Sequence, residues 1–390
     1  MIKEFLRISE LGDENTAEIV VIISLEDPKA VDRAASRVQD ALTDVGGPAP
    51  KVDVREGRPD VVVRVPVDLI DASAPATHLA QILKEAVRSI PSECQVSSIE
   101  IPPDVFVGPK VGLQGIRKLT GTRGPLLGVV IRSESSEPFD QAKRFYELAV
   151  AGADMGVETP FLLDQQFSPL SARVSHAADM IDRVREEVGR RVIYAVSVDT
   201  KSDALMGLVE SAADAEIPCV ALGSPTIESV EAIARSEYKV AIYVRGGAVD
   251  PGLSWMSPEA AATLLRLAGA DIVERPSAGW KLKKDEISSI NSSLLEKLAE
   301  GVRKSLPAAV GAVHPGSVET NVMLFGTDQV LMFDESIYGH PWGCRSGVMA
   351  ARAALDAALR GEGFFEAVEG SEELKLAADR WGYLSPDEVS

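Results

Sequence analysis

LLGVVIRSESSEPFDQAKRFYELAVAGADMGVE, residues 126–158, decides the fold. It opens on a continuous apolar run (126–132) and crosses a polar turn into PFDQAKRFYELAVAG. There the apolar residues recur at helical spacing after a proline, before the chain returns to an apolar run, ADMGVE (153–158). A helix of this length between two short strands is the connection that parallel strands require. Strands that are apolar throughout belong to sheets covered on both faces. The same rhythm continues through VIYAVSVD (192–199), PCVALGS (218–224), VAIYVR (240–245), ADIVE (270–274), AVGAVH (309–314) and QVLMFD (329–334). Amphipathic stretches such as SDALMGLVESAADAE (202–216) and SPEAAATLLRLAGA (257–270) separate them. Eight such units predict a (β/α)8 barrel.

Upstream, the pattern differs. AEIVVIIS (17–24), DVVVRVPVDLI (60–70) and QVSSIEIP (95–102) read as strands, with helical stretches at 27–47 and 76–90 between them. This β-α-β-α-β order predicts a small ferredoxin-like α+β unit. The expected organisation is an N-terminal α+β domain over 1–112, a barrel over 113–360 and a helical tail over 361–390. A chain of 390 residues has room for two cores, since one core rarely exceeds about 250–300 residues.

The formal charge of −19 disfavours nucleic acid or an anionic membrane as partner, because both need clustered positive charge. It reads first as a solubility device. Cys94, Cys219 and Cys344 are widely separated, so neither a disulfide framework nor a zinc knuckle is indicated. With no apolar stretch of signal or membrane-spanning length, the expected location is the cytoplasm.

A barrel of this kind carries its chemistry at the C-terminal ends of its strands. The polar residues there are Arg132 and Glu134, Glu158 and Thr159, Asp199 and Lys201, Ser224, Arg245, Glu274 and Arg275, His314, and Asp334 and Glu335. Any one of them also has a plain reading, that the strand has reached water.

Four separated stretches, VGPKVGLQGIRKLTGTRGPLLGVVIR (107–132), AGADMGVE with LLDQQFSPLSARV (151–174), LLRLAGAD (264–271) and GHPWG (339–343), resemble the large chain of ribulose-bisphosphate carboxylase in order and spacing. QQFSPLSARV (165–174) and VHPGSVETNVMLFG (313–326) look more like the RuBisCO-like proteins than the true carboxylases. The resemblance implies an N-terminal ferredoxin-like α+β domain followed by a (β/α)8 TIM barrel of RuBisCO large-chain type. It also implies a head-to-tail homodimer, alone or in a larger assembly of dimers, whose sites form at the subunit interface.

The chemistry of that family does not carry over. A lysine closing the first barrel strand becomes Arg132, which stays protonated and makes a poor base. The Lys-Asp-Asp-Glu that forms a carbamate and binds magnesium becomes Val157, Glu158, Thr159 and Pro160, so the family's Mg2+ and carbamylated lysine are expected to be absent. The histidine-arginine pair after strand five leaves only Arg245, and a phosphate-holding glycine turn after strand seven becomes Gly311-Ala312. Glycines that embrace a phosphate after strand eight become Asp334, Glu335 and Ser336, whose charge would repel a dianion.

The expected catalytic group is therefore Arg132, Glu158, Arg245, His314 and Glu335, with Glu134, Lys201, Lys281, Asp334 and Ser336 binding substrate. No cofactor is predicted, although Glu158, His314, Asp334 and Glu335 could form a new site for a different divalent metal. With only four histidines, a multi-histidine site is disfavoured, and His340 reads as structural within GHPWG. Two functions stay open: a remodelled, non-carboxylating enzyme of isomerase or lyase type acting on a small non-bisphosphate ligand, or an inactive homologue serving binding or assembly. In the second case Trp280 or Phe161 would fill the pocket.

Overall fold

In the computed structural model, which describes residues 17–43, 48–102, 104–132, 135, 137–162, 164–198, 204–223, 225–280 and 282–389, the first strand, β1 (Glu18–Leu25), buries every second side chain. That alternation seats it between β3 (Asp60–Pro66) and β4 (Cys94–Glu100), both antiparallel to it. A further strand, β2 (Lys51–Val54), pairs with β3 at the edge, giving the order β2-β3-β1-β4. Helices α1 (Val31–Thr43) and α2 (Pro75–Ser89) turn Ala34, Val38 and Leu42, and Leu79, Ile82 and Leu83, into this core. The unit is thus β-α-β-β-α-β, one strand more than the sequence suggested. KVDV is short and almost wholly exposed, so it carries none of the apolar alternation that betrays a strand.

After α3 (Gly112–Thr120) the chain alternates β5 (Leu126–Ile131), α4 (Pro138–Ala151), β6 (Met155–Glu158), α5 (Leu170–Val188), β7 (Ile193–Ser197), α6 (Leu205–Asp214), β8 (Cys219–Leu222) and α7 (Ile227–Arg235). It continues through β9 (Ala241–Val244), α8 (Pro258–Ala268), β10 (Ile272–Pro276), α9 (Lys284–Leu295), β11 (Leu306–Val310), α10 (Val318–Phe325) and β12 (Val330–Phe333). The eight strands β5 to β12 are parallel and close into a barrel through pairing of β12 with β5 and β9 with β10. Met155, Val157, Ile193, Ala195, Cys219, Ala221, Ala241, Tyr243, Ile272, Val330 and Met332 are among the side chains packed in its interior. Gly128 is obligatory there, since a Cβ would lie 2.2 Å from Met332 Sδ.

The seventh barrel strand is displaced from its expected position. It spans Leu306–Val310 and not 309–314, because Gly311 (φ 76°) and Ala312 (φ 50°) turn the chain out of the sheet. Pro307 disguises the true strand, yet the register with β10 runs through it. A left-handed alanine costs about 1 kcal/mol, so Ala312 keeps a backbone shape that suits glycine.

Past β12 come α11 (Glu335–Tyr338), α12 (Cys344–Arg360), α13 (Phe364–Glu369) and α14 (Glu372–Trp381). The last two fold back onto the barrel. Phe364 stacks on Tyr383 at 5.2 Å, the amide of Leu384 donates to the Gly316 carbonyl, and His340 Nε2 lies 3.0 Å from the Glu373 carbonyl oxygen. His340 therefore fastens the tail, as a structural role requires.

Two buried carboxylates join the parts of the molecule. Glu231 of α7 accepts from the Ala76 and Thr77 amides and the Thr77 hydroxyl, capping α2 across the domain boundary. Asp271 accepts from the Val111 and Gly112 amides at the start of α3 and from the Ile242 amide in β9. Burial pushes the Asp271 carboxyl up to about 6, against the pull of those amides and of Lys110. A carboxyl with a folded pKa above its unfolded value holds a proton in the folded state alone between about 3.8 and 6, so its contribution to stability is lost as pH rises through that window. Urea unfolding of wild type and Asp271→Asn at a series of pH values should therefore show the wild-type advantage shrinking from pH 4 to 6, by up to about 3 kcal/mol. A pH-independent difference contradicts this assignment.

Candidate active site

Because alternate residues of a strand face opposite sides of a sheet, the interior positions of each strand predict which strand-end residue enters the barrel mouth. Interior Ala195, Tyr243, Ile272 and Met332 place Ser197, Arg245, Glu274 and Asp334 at the mouth. Interior Met155 and Val157 place Glu158 on the opposite side of its strand.

Glu158 is fully buried outside the barrel wall. Its carboxylate pairs with the equally buried Arg173 of α5 at 3.1 Å and accepts from Tyr194 Oη (2.7 Å) and the Ser197 amide (2.8 Å). Arg173 also donates to the carbonyls of Ser168 and Ser197. Burial pushes the Glu158 carboxyl up, while Arg173, Tyr194 and the Ser197 amide favour its charged form. The expectation of a catalytic or metal-binding Glu158 is corrected: the side chain holds α5 to β6 and β7. Ser336 is likewise structural, its hydroxyl donating to the Val313 carbonyl at 2.8 Å.

The mouth itself is built from four elements. Arg132 follows β5 and pairs with Asp334, which follows the neighbouring strand β12. Tyr338 frames this pair: its hydroxyl accepts from the Arg132 amide and donates to the Val130 carbonyl, each at 2.8 Å, and the Arg132 guanidinium lies 5.8 Å from its ring centre. Burial raises the Asp334 carboxyl, Arg132 and Arg245 lower it, and Glu335 raises it again. Glu335 itself is exposed at the start of α11.

Arg245, after β9, is 8% exposed, and its Nε and Nη2 have no partner. Glu274 beside it is occupied with Tyr243 Oη (2.7 Å) and the Gly246 amide (2.8 Å), and it forms no ion pair with Arg245. His314, on the turn after β11, keeps an unpartnered Nδ1 and is held towards neutrality by burial. No hydrogen bond among the described residues joins its ring to Asp334 or Arg245. Of the nine buried side-chain polar atoms without a partner among the described residues, five belong to Ser197, Arg245, His314 and Asp334. Buried polar groups are normally satisfied by protein, water or ligand, so this concentration leaves the mouth with hydrogen-bonding capacity that the protein itself does not use.

The family's magnesium does not fit. Val157 stands in the apolar interior where the carbamate would form, Glu158 is committed to Arg173, and Thr159 and Pro160 supply no anionic ligand. Nor do Glu158, His314, Asp334 and Glu335 make a preformed metal site: among the described residues no three His, Cys, Asp or Glu side chains stand close enough to share an ion. Glu134, Lys201 and Lys281 lie outside the described residues.

Comparison with known proteins agrees with this architecture. A model of the ribulose bisphosphate carboxylase large chain, catalytic domain, matches residues 256–381. A 2,3-diketo-5-methylthiopentyl-1-phosphate enolase of Geobacillus kaustophilus is 30% identical over 314 residues, 76% of this chain and 75% of the relative. The chain belongs to the RuBisCO large-chain superfamily. A ribulose bisphosphate carboxylase of Pyrococcus furiosus is also 30% identical, over 72% of this chain and 70% of its own. Among solved structures, a rubisco-like protein from Alicyclobacillus acidocaldarius superposes with a TM-score of 0.79 at 23% identity, covering 95% of this chain and 100% of that one.

One feature of the superfamily is physically closed here. The turn at Gly311, where the resemblance places a phosphate, lies under the Trp280 indole: a Cβ on Gly311 would fall 2.2 Å from Trp280 Cε3. Ser277 Oγ donates to the Gly311 carbonyl and ties the two loops together. Trp280 thus covers one phosphate-binding turn while Asp334 brings a negative charge to the other.

If Glu158 is structural, Glu158→Gln should lower stability by roughly 3–5 kcal/mol through the buried, uncompensated Arg173. Chemical denaturation measures this. A fully stable variant would return Glu158 to the list of functional candidates.

Proposed function

We propose that this chain is a non-carboxylating RuBisCO-like enzyme whose rebuilt barrel mouth takes a small substrate bearing one carboxylate, seated on Arg245. The observation that carries the reading is the buried guanidinium with two unsatisfied nitrogens. Two such donors in one plane match the two oxygens of a carboxylate. The local charges favour a monoanion. Arg132 is balanced by Asp334, which leaves Arg245 to receive ligand charge, while Asp334, Glu335 and Glu274 oppose a dianionic phosphate.

Proton transfer next to a carbonyl, as in an isomerase or lyase, is the reaction class that the enolase relatives support. The chemistry would proceed without the carbamate and its magnesium. The alternative, an inactive homologue kept for binding or assembly, draws its support from the loss of the family's ligand residues and from Trp280, which lies over the Gly311 turn, while the exposed Phe161 gives it none. Against it, the mouth retains a charged arrangement that costs stability unless a ligand satisfies it.

A homodimer, alone or within a larger assembly, is the proposed state, in line with the dimeric archaeal Rubisco from Hyperthermus butylicus and the octameric one from Pyrococcus horikoshii. Phe161 (83% exposed) and Phe167, on the segment after β6, offer apolar surface for such a contact. No helix among the described residues is long and apolar enough to cross a membrane, and the proposed location is cytoplasmic.

Calorimetric titration with short 2-oxo monocarboxylates and with ribulose 1,5-bisphosphate tests the site. Wild type should bind the monocarboxylates and not the bisphosphate, and Arg245→Met should weaken binding about 30-fold or more. Tight bisphosphate binding, or monocarboxylate binding indifferent to Arg245→Met, refutes the proposal.

A further inference from the structure

The Arg132–Asp334 pair joins two strand ends that are neighbours in the barrel, β5 and β12. The two positions are where the resemblance places a lysine that handles a proton and a glycine that touches phosphate. The exchange is complementary: a cation that cannot give up its proton has gained a carboxylate that can accept one. Arg132, whose backbone amide Tyr338 holds, fixes that carboxylate from one side only. Asp334 Oδ2 is held by Arg132, whereas Oδ1 is buried and has no partner. Asp334 occupies an inward-facing strand-end position, and the charge of Arg245 reaches it.

We propose that Asp334 is the proton-transferring residue of this site, acting through Oδ1, with Arg132 as the residue that positions it and Arg245 as the clamp for the substrate carboxylate. This rests on the carboxylate-binding reading of Arg245 given above. In the forward step Oδ1 takes a proton from the carbon next to the substrate carbonyl. The C–H bonding pair becomes the new C=C bond, and the carbonyl π pair moves onto oxygen as an enolate in the field of Arg245 and Arg132. Return of a proton from Asp334 to carbon restores the carboxylate, so atoms and electrons balance with no oxidant or metal. Burial, with Glu335 beside it, raises the Asp334 carboxyl above its ordinary range, while Arg132 and Arg245 favour its charged form.

The test uses 2-oxobutanoate as probe in D2O, with deuterium entry at C3 followed by NMR and binding measured by calorimetry on the full chain. Wild type should bind the probe and exchange its C3 protons above the uncatalysed rate. Asp334→Asn should keep binding and lose at least about 100-fold in exchange, with partial recovery in Asp334→Glu. Arg132→Met, which removes the cation beside Asp334, should move the rising limb of the pH–rate profile to higher pH, a shift that a purely structural arginine would not cause. Exchange by Asp334→Asn within threefold of wild type overturns the assignment, as does the absence of any recovery in Asp334→Glu when that variant is folded and binds. Binding without exchange in wild type overturns the proton-transfer role and leaves the Arg245 reading intact. Failure of wild type to bind the probe overturns that reading and this inference together.

Discussion

In a closed barrel each strand can send only alternate side chains towards the axis, and every functional group at the mouth depends on that parity. Val157 and Glu158 cannot both enter the mouth. With valine inside, glutamate must lie among the helices, where Arg173, Tyr194 and the Ser197 amide use its lone pairs. The same rule turns Arg275 outward, where it is buried against Phe325, Asn291 and Gln329, and turns Arg245 inward over the Tyr243 ring with two nitrogens that make no hydrogen bond. Two arginines near the ends of adjacent strands thus acquire opposite fates, one satisfied by neutral partners and one left to a ligand.

Electrostatics then divides the mouth into two halves. On one side Asp334 pairs with Arg132, and Trp280 lies over the Gly311 turn. On the other, Arg245 holds its charge under cover from water, with Glu274 near enough to feel it but turned towards Tyr243 and the Gly246 amide. A buried cation with unused donors gains far more from a ligand anion than an exposed one does, because little water competes for it. The strength of the anion site proposed at Arg245 therefore depends on burial as much as on residue type.

Much of this was legible in the sequence, and the failures have definite causes. Seven of the eight barrel strands declare themselves as apolar runs because both faces of a barrel strand are buried, and GHPWG marks the turn into α12. The strand Leu306–Val310 was misplaced because Pro307 hides it and AVGAVH imitates it, although two left-handed residues interrupt that run. The edge strand Lys51–Val54 was missed because an exposed strand carries no hydrophobic pattern. At the site, Arg132, Arg245 and Asp334 were visible as polar ends of apolar strands. Glu158 was visible for the same reason, and only the parity set by Val157 distinguishes it. Tyr338 and Tyr243 gave no local signal, since their roles come from contacts across the fold, whereas Trp280 was visible as a side chain able to fill the pocket.

The segment MFDESIYGHPWG shows how such a change can be accommodated without loss of the scaffold. Of the three residues where the resemblance places glycines, Asp334 meets Arg132, Glu335 points to solvent and Ser336 bonds the Val313 carbonyl, so each has a distinct environment. Two residues on, Tyr338 supports the backbone at Arg132, coupling the end of β12 to the end of β5 a second time. Unconstrained drift does not lead to this arrangement. A chain relieved of its ligand would gain stability by exchanging Arg245 for an apolar residue, since each unsatisfied buried group costs about 1–3 kcal/mol and a charged one more. A buried guanidinium with two unused nitrogens, near a well-supported ion pair, is the arrangement expected of the proposed anion site.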